Sequence, residues 1–393
     1  MKSHYWIICV LLSAVVTGCT VAVKDSRADL PVPNNPNSAQ AKAAPTVQTD
    51  TPALSGAFHA TRLTGDYADY AAVKIFIEHL VAQHGFRREY LYGLFSEAKR
   101  KQWTLNYLRK SDRRNQTQGP PGMALSPGSW SRYRAKFVDP QHIKDGVAFW
   151  QHYRTALQRA EQAYGVPAEY ILAILGVETR FGGFVGNHRI IDALTTLAFD
   201  YSRRADYFRT ELENYLIMAS AEGFNPTQPK GSYAGAMGLG QFMPSSFLNW
   251  AVDFNGDGHK NLWTPVDAIG SVAHYLQAHG WQTGRPVVTP AKARHRHDPY
   301  QLETGYRKQY SLAQLKTFGI TPKQDCPCQE PVHVLFLSFA KHHEYWLGHA
   351  NFYVITRYNH SSYYAMAVHD LAQAIKQAWN RIVRVQPSTE RNG

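Results

Sequence analysis

The stretch ILAILGVETRFGG, Ile171 to Gly183, delivers one glutamate, Glu178, at the end of an almost wholly apolar run that Pro167 opens and a Gly pair closes. At helical spacing Ile171, Ile174, Leu175 and Glu178 fall on one face, so a carboxyl is placed at the end of a stripe that faces a core. Near the C-terminal end of a helix the macrodipole disfavours negative charge, and apolar neighbours desolvate it. Both effects favour the protonated acid, and a carboxyl that keeps its proton at neutral pH is suited to general acid catalysis. The structural alternative is a glutamate paired with a buried arginine such as Arg180 or Arg189. This stretch by itself does not choose between the two.

A second stretch, GSYAGAMGLGQFMPSSF from Gly231 to Phe247, packs four Gly into ten residues, and Pro244 with Ser245 and Ser246 starts a helix. Gly238-Leu239-Gly240 lacks the spacing of a dinucleotide or phosphate-binding loop. A backbone-lined groove that exposes Ser232 and Gln241 suits a ligand rich in hydroxyls and amides, such as a glycan. The third stretch, DFNGDGHKNLWTPVD, places Asp253, Asn255 and Asp257 at alternate positions before Gly258, as in the first half of a Ca²⁺-binding EF-hand loop. The twelfth position, where a bidentate Glu belongs, is Thr264; Asp267 would close a longer loop, with the His259 carbonyl as a backbone ligand. An oxygen-only set argues against zinc or copper. The alternative is an Asx-rich turn that holds no ion.

These stretches need elements to position them. Val73, Phe76, Ile77 and Leu80 form a helical stripe ended by Gly85, and Tyr90, Leu91, Leu94 and Phe95 form another. Pro120 to Pro127 is a break. One helix carries Trp150, Tyr153 and Leu157, and helical patterns continue at Tyr207–Glu222 and Val266–His279. From Gly284 to about Asn359 the texture turns to Pro, basic residues and β-rich runs such as HVLFLSF and FYVIT, which reads as a small strand-containing insertion; a last helix runs from about Tyr364 to Arg381. Aromatics at Tyr133, Phe137, Tyr207, Phe242, Tyr358 and Tyr364 sit near turns and helix ends. Sugars stack on such faces, although pattern alone favours core.

A chain of 393 residues, 44% hydrophobic, has room for two or three domains and a large core. The net charge of +12 points to an anionic partner. With no basic block longer than KRK or RKSDRR and no recognisable nucleic-acid motif, nucleic acid is set aside. The opening MKSHYWIICVLLSAVVTGC has an early Lys and an apolar stretch too short to span a membrane, so it reads as a secretory signal. Small residues before Cys19 resemble the bacterial lipoprotein cleavage box, and Thr20 is not the Asp that favours inner-membrane retention. The expected product is lipidated at Cys19 and anchored to the periplasmic face of the outer membrane. Lys24 to about Gly56 lacks the apolar residues to offset ordering entropy and reads as a tether. Cys326 and Cys328 are too close for the usual zinc pairing, with no second pair; a local disulfide or an inert loop fits them.

Together, GVETRFG, YAGAMGLGQFMPSSF, AVDFNGDGHKNLWTPVDAIGSVAHYLQAHGW and ITRYNHSSYYAMAV, in that order, resemble the membrane-bound lytic murein transglycosylase B family from about Tyr67 to Arg381. The resemblance implies a mainly α (α+β) fold: a lysozyme-like catalytic core with a flanking helical domain and a small β-containing domain. The organisation expected is a signal peptide at 1–18, a lipid-anchored tether at 19–60, a helical domain at 61–140 joined by a C-terminal helix at 360–385, a catalytic core at 141–283 with the EF-hand-like loop at 253–267, and the β-containing domain at 284–359.

The resemblance also implies non-hydrolytic cleavage of the β-1,4 MurNAc–GlcNAc bond of peptidoglycan, giving 1,6-anhydromuramyl ends. Glu178 matches the single catalytic carboxylate, and Ser232 and Gln241 match glycan-contacting positions. Tyr133, Phe137, Arg203, Arg204, Tyr358, Asn359 and Tyr364 fall on positions resembling the groove; Asp253, Asn255, Asp257, His259 and Asp267 match a long Ca²⁺ loop of structural role. Leu239 departs from the pattern, which has an aromatic there, and implies weaker stacking at one subsite. Ordinary glycosidases need two carboxylates, yet Asp192, Asp200 and Glu222 read as surface groups of neighbouring helices. One suffices if the sugar's own 6-hydroxyl is the nucleophile. The implied partners are peptidoglycan strands, the membrane through lipid alone, and other cell-wall enzymes, for a monomer. A hydrolytic muramidase, a non-catalytic peptidoglycan-binding lipoprotein and a calcium-regulated adaptor are the rival readings.

Overall fold

The computed structural model describes residues 58–117, 126–294, 302–326, 328 and 331–385; the expected signal, Cys19 and most of the tether lie outside them. Phe58 and Leu63, ahead of the first periodic stripe, are already buried. Three helices follow: α1 (Ala71–His84), α2 (Arg88–Glu97) and α3 (Gln102–Thr117). The first buries Val73, Phe76, Ile77 and Leu80, and left-handed Gly85 ends it, as the apolar spacing requires.

After α4 (Ser129–Arg134) come α5 (Pro140–His152) and α6 (Arg154–Tyr164). The expected single helix through Trp150 and Leu157 is therefore two, broken at Tyr153, whose φ −105 and ψ 25 leave the helical region. Asp139 caps α5 by accepting from the Gln141 and His142 amides, and Pro140 at its first position is preset for the helix.

The centre is α7 (Ala168–Thr179), in which every residue is buried. The sequence reading of a stripe is corrected here: a helix apolar all round belongs inside the core. Around it stand α8 (Ile190–Asp200), α9 (Ala205–Ala221), α10 (Pro244–Trp250) and α11 (Pro265–Ala278), with a two-residue ladder pairing β1 (His188–Arg189) and β2 (Lys230–Gly231). The long α14 (Ser362–Val385) packs against α7, α5 and α4.

Between α11 and α14 lies a five-stranded antiparallel sheet. It consists of β3 (Val288–Ala293), β4 (Gln309–Tyr310), β5 (Ile320–Pro322), β6 (Val332–Ser338) and β7 (His343–Gly348), in the order β4-β6-β7-β3-β5. A short α12 (Leu312–Thr317) opens on a capping box of Ser311 and Gln314. HVLFLSF forms β6 as expected: Val332 and Val334 face a small core with Leu315 and Leu347, while Leu335 and Leu337 face the main one. FYVIT does not form a strand. It lies in α13 (Ala350–Tyr358), where Phe352 and Ile355, three apart, both bury on the main core. Short apolar, β-branched runs fit either period, and tertiary burial decides. Cys326 and Cys328 are joined as a disulfide. No described helix is long and apolar enough to cross a membrane.

Asp192 ties the N-terminal helices to this centre and is fully buried, so its reading as a surface group is corrected. Arg189 and Lys101 pair with it, and the Lys99 amide donates to it at 2.9 Å. Burial by itself raises its pKa; the Arg189 and Lys101 bonds outweigh that and hold the carboxyl below its usual value. Stability from a depressed carboxyl is present above the unfolded pKa and lost as pH falls through the folded one. Asp192→Asn is therefore expected to cost on the order of 3 kcal/mol in urea unfolding at neutral pH, with the deficit shrinking in acid. An equal deficit at both would contradict this account.

Candidate active site

Glu178 sits one residue from the C-terminus of α7, 5% exposed. Its Oε1 accepts a 2.6 Å bond from the hydroxyl of Tyr364 on α14. Neither arginine offered by the sequence pairs with it: Arg180 bonds Asp145, and Arg189 bonds Asp192. Burial, opposed by the Tyr364 bond, pushes the carboxyl up to about 8. Among the described residues no second carboxylate enters the causes of that shift. The neighbouring acids are engaged elsewhere. Asp200 accepts from Tyr70 and pairs with Arg100, Glu222 accepts from the Lys260 amide, and Glu211 binds Ser245. The arrangement therefore offers one neutral, hydrogen-bonded carboxyl able to give up and retake a proton near neutrality.

The chain leaves α7 under strain. Arg180 and Phe181 have φ of 52° and 58°, and the only other non-glycine residue among those described with positive φ is Gln241, at 52°. Left-handed backbone at non-glycine residues costs about 1–3 kcal/mol each and clusters at functional sites. All three positions lie on the two segments that meet here. The Thr179 hydroxyl joins them, donating to the Leu239 carbonyl at 2.8 Å and accepting from the Gly182 amide. Sequence reading missed Thr179, since a helix-terminal threonine beside a catalytic candidate carries no periodic signal. Phe181 folds back under α7, its ring filling the space that a Cβ would need at Gly176 and Gly146.

The Gly-rich segment is a tight, hydrogen-bonded turn. Ser232 is half-buried and its Oγ accepts from the Ala234 and Ala236 amides, while Gln241 Nε2 donates to Val185 and Gly238 carbonyls. Left-handed Gly238 stands where any Cβ would strike Leu262. Leu239 is 4% exposed and lies against Gly182, so it presents no face for stacking at a subsite, and the implied effect of its departure there is corrected. Tyr358 donates to the Gly240 carbonyl and stacks on Tyr364 with an interplanar angle of 10°. Tyr133 and Phe137 pack 5.3 Å apart beside Tyr363; burial, then the charge of Glu178, raises the Tyr133 hydroxyl. Asn359 follows Tyr358 as the C-cap of α13, in extended backbone.

Tyr133, Tyr358 and Tyr364 thus gather around Glu178, and Ser232, Gln241 and Asn359 lie on the segments that border it. Arg203 and Arg204 have contacts elsewhere: Arg203 pairs with Asp112, and Arg204 lies 4.1 Å over the ring of Tyr207. A further aromatic face went unread in RKQWTLNY: Trp103, 47% exposed, stacks on Tyr107 and on His188, next to the β1–β2 ladder that holds Gly231. Its signal was the i, i+4 aromatic pair flanked by lysines.

In the segment 253–267, Asp253 accepts from the Gly256, Asp257 and Gly258 amides, Asn255 Oδ1 accepts from the Asp257 amide, and Asp257 accepts from the His259 amide. Gly256 and Gly258 are left-handed, which lets the loop curl. Asp267 is wholly buried and receives the Phe254, Asn255 and Asn261 amides, with no cationic side chain paired to it among the described residues. An oxygen-only set closed by a buried, cation-free carboxylate fits a hard divalent ion.

Residues 68–373 match the family model of the transglycosylase SLT domain. The chain belongs to this family. It is 47% identical over 317 residues to the membrane-bound lytic murein transglycosylase B of Escherichia coli strain K12, covering 81% of this chain and 86% of that protein. The structure of the E. coli lytic transglycosylase Slt35 in complex with calcium is similar at a TM-score of 0.75 and 47% identity, covering 81% of this chain and 97% of that one. SltB3 of Pseudomonas aeruginosa, in complex with NAG-anhNAM-pentapeptide, is similar at a TM-score of 0.65 and 27% identity over 78% of each chain. The lysozyme-like, mainly α architecture expected from the sequence is that of the SLT domain.

Since the Tyr364 bond lowers the Glu178 pKa and burial raises it, Tyr364→Phe removes the opposing effect. The alkaline limb of the pH–rate profile of this SLT enzyme is expected to move upward from about 8 in that variant. An unmoved or lowered limb would break the assignment of the limb to Glu178.

Proposed function

We propose that the chain is a peptidoglycan lytic transglycosylase in which Glu178 is the single general acid and base. The observation that carries the mechanism is one buried carboxyl with its pKa at about 8, bonded by Tyr364, with no second carboxylate among the described residues contributing to that shift. Glu178 protonates the glycosidic oxygen between MurNAc and GlcNAc, and the C1–O4 bond breaks. The carboxylate then takes the proton of the C6 hydroxyl as O6 attacks C1. One C–O bond is exchanged for another, the proton passes from O6 to O4 through Glu178, and no water is consumed. The product is the 1,6-anhydromuramyl end. Catalysis by water would call for a second carboxylate to activate it or a nucleophile on the opposite face.

Ser232, Gln241 and Asn359 serve as polar contacts to the glycan, Tyr133, Phe137 and Tyr358 as the aromatic wall, and Tyr364 as the group that holds the carboxyl. Arg203 and Arg204 would meet the lactyl and peptide carboxylates along the strand, in keeping with the net charge of +12. Asp253, Asn255, Asp257, the His259 carbonyl and Asp267 would hold Ca²⁺, which would offset most of their charge and fix the segment ahead of α11 without entering the reaction. The division into a helical domain, a catalytic core and a β-containing domain, the anchor at Cys19 on the periplasmic face of the outer membrane, and a monomer working among other cell-wall enzymes complete the reading.

Glu178→Gln is expected to lower the lytic rate by about 10²–10⁴-fold while binding to peptidoglycan persists. Mass analysis of wild-type digests should give muropeptide ends one water lighter than hydrolysed ones. Hydrated ends alone would establish a muramidase, and undiminished lysis by the variant would remove Glu178 from the chemistry. Chelation of Ca²⁺ is expected to lower the unfolding temperature by a few degrees and leave product masses unchanged; a loss of anhydro ends at a temperature where the fold persists would give the ion a chemical role.

A further inference from the structure

Away from Glu178, α1 and α9 bring three metal-binding side chains to one point. His79 Nε2 lies 3.2 Å and His84 Nε2 2.6 Å from the same oxygen, Glu213 Oε1. The three donor atoms all lie within 4.8 Å of one another. None of the three has a part in the lytic reading, and the Ca²⁺ loop is a separate set of residues.

The geometry is close to what a small tetrahedral ion needs. Bonds of about 2.0–2.2 Å to imidazole nitrogen and carboxylate oxygen set ligand atoms roughly 3.4 Å apart, and the observed nitrogen–oxygen separations approach that from below. Residues five apart on a helix point about 140° away from each other. His79 and His84 converge because His84 is the last residue of α1, before left-handed Gly85, and the carboxylate of the neighbouring helix stands between them. The His79 ring is oriented by stacking on Phe76 at 6.4 Å. The side chains of His79, His84 and Glu213 are 46%, 16% and 24% exposed, which leaves solvent access for a fourth ligand.

Two imidazoles sharing one carboxylate oxygen form ion pairs when protonated, and a metal site when neutral. We infer that His79, His84 and Glu213 bind a divalent transition-metal ion, Zn²⁺, with water as the fourth ligand, clamping α1 to α9. Nitrogen donors exclude Ca²⁺ and Mg²⁺, which take oxygen. Cys326, Cys328 and His349 also lie within ligand range of one another, but the two sulfurs are committed to the disulfide.

The test uses the full chain in detergent, stripped with a chelator that is then removed, with Zn²⁺ added as the probe. Equilibrium dialysis in saturating Ca²⁺ is expected to show one saturable Zn²⁺ abolished by EDTA, and thermal scans in saturating Ca²⁺ a further rise of about 2–4 °C on adding Zn²⁺. Glu213→Gln and the double variant His79→Ala/His84→Ala should each bind at least tenfold more weakly, while Glu213→Gln keeps peptidoglycan lysis within twofold of wild type. Co²⁺ supplies a second measurement, independent of stability: tetrahedral absorption in the wild type and none in the double variant. No saturable Zn²⁺ binding, or binding and Co²⁺ absorption undiminished in the variants, would overturn the site. Neither result touches Glu178, so the lytic reading stands or falls separately.

Discussion

The structure depends on keeping water from one carboxyl. A glutamate with an ordinary pKa near 4.3 would be ionised at neutrality; Glu178, at about 8, is held neutral by burial. The linkage has a definite sign. Between the two pKa values the unfolded chain gives up a proton that the folded chain keeps, so stability falls as pH rises across that window, by a few kcal/mol in all. The core around α7 has to absorb that loss, which is one reason why every residue of this helix is covered.

That constraint orders the surroundings. Gly176 and Gly146 leave room for Phe181, whose left-handed backbone turns the chain under the helix. Thr179 ties the turn to Leu239, and Gly238 and Gly240 let the second segment approach Leu262 and Tyr358 closely. Gln241, the remaining non-glycine residue of positive φ among those described, closes that segment. Strain here lies at the junction of the two segments, where neighbours over-determine the backbone. Bonds to other acids do different work: Asp192 and Asp200 are paired with cations, and Glu211 is met by the hydroxyl and amide of Ser245, whereas Glu178 has the Tyr364 hydroxyl and no cation.

Much of this was legible in the sequence because it is local. The apolar run before Glu178, the four glycines from Gly231 to Gly240 and the alternate oxygens from Asp253 are each contained within about a dozen residues, and the helices with strong periodicity fell where spacing put them. What was not legible depends on distant partners. FYVIT fits a strand or a helix until Phe352 and Ile355 find the main core. Trp150 and Leu157 belong to separate helices because Tyr153 takes a backbone conformation that no periodicity encodes. Asp192 looked like a surface group until Lys101, ninety-one positions away, was set beside it, and the place expected of an aromatic at Leu239 proved to be interior.

The bond between Glu178 and Tyr364 spans 186 positions, and its tyrosine lies on the last described helix, α14. A chain emerging N-terminus first presents α7 long before α14. Until α14 docks, Glu178 lacks both its cover and its hydroxyl partner, and is a solvated carboxylate with no proton to give. The proton on this carboxyl is therefore held only by the completed fold, since its cover and its hydroxyl partner both come from a helix far along the chain.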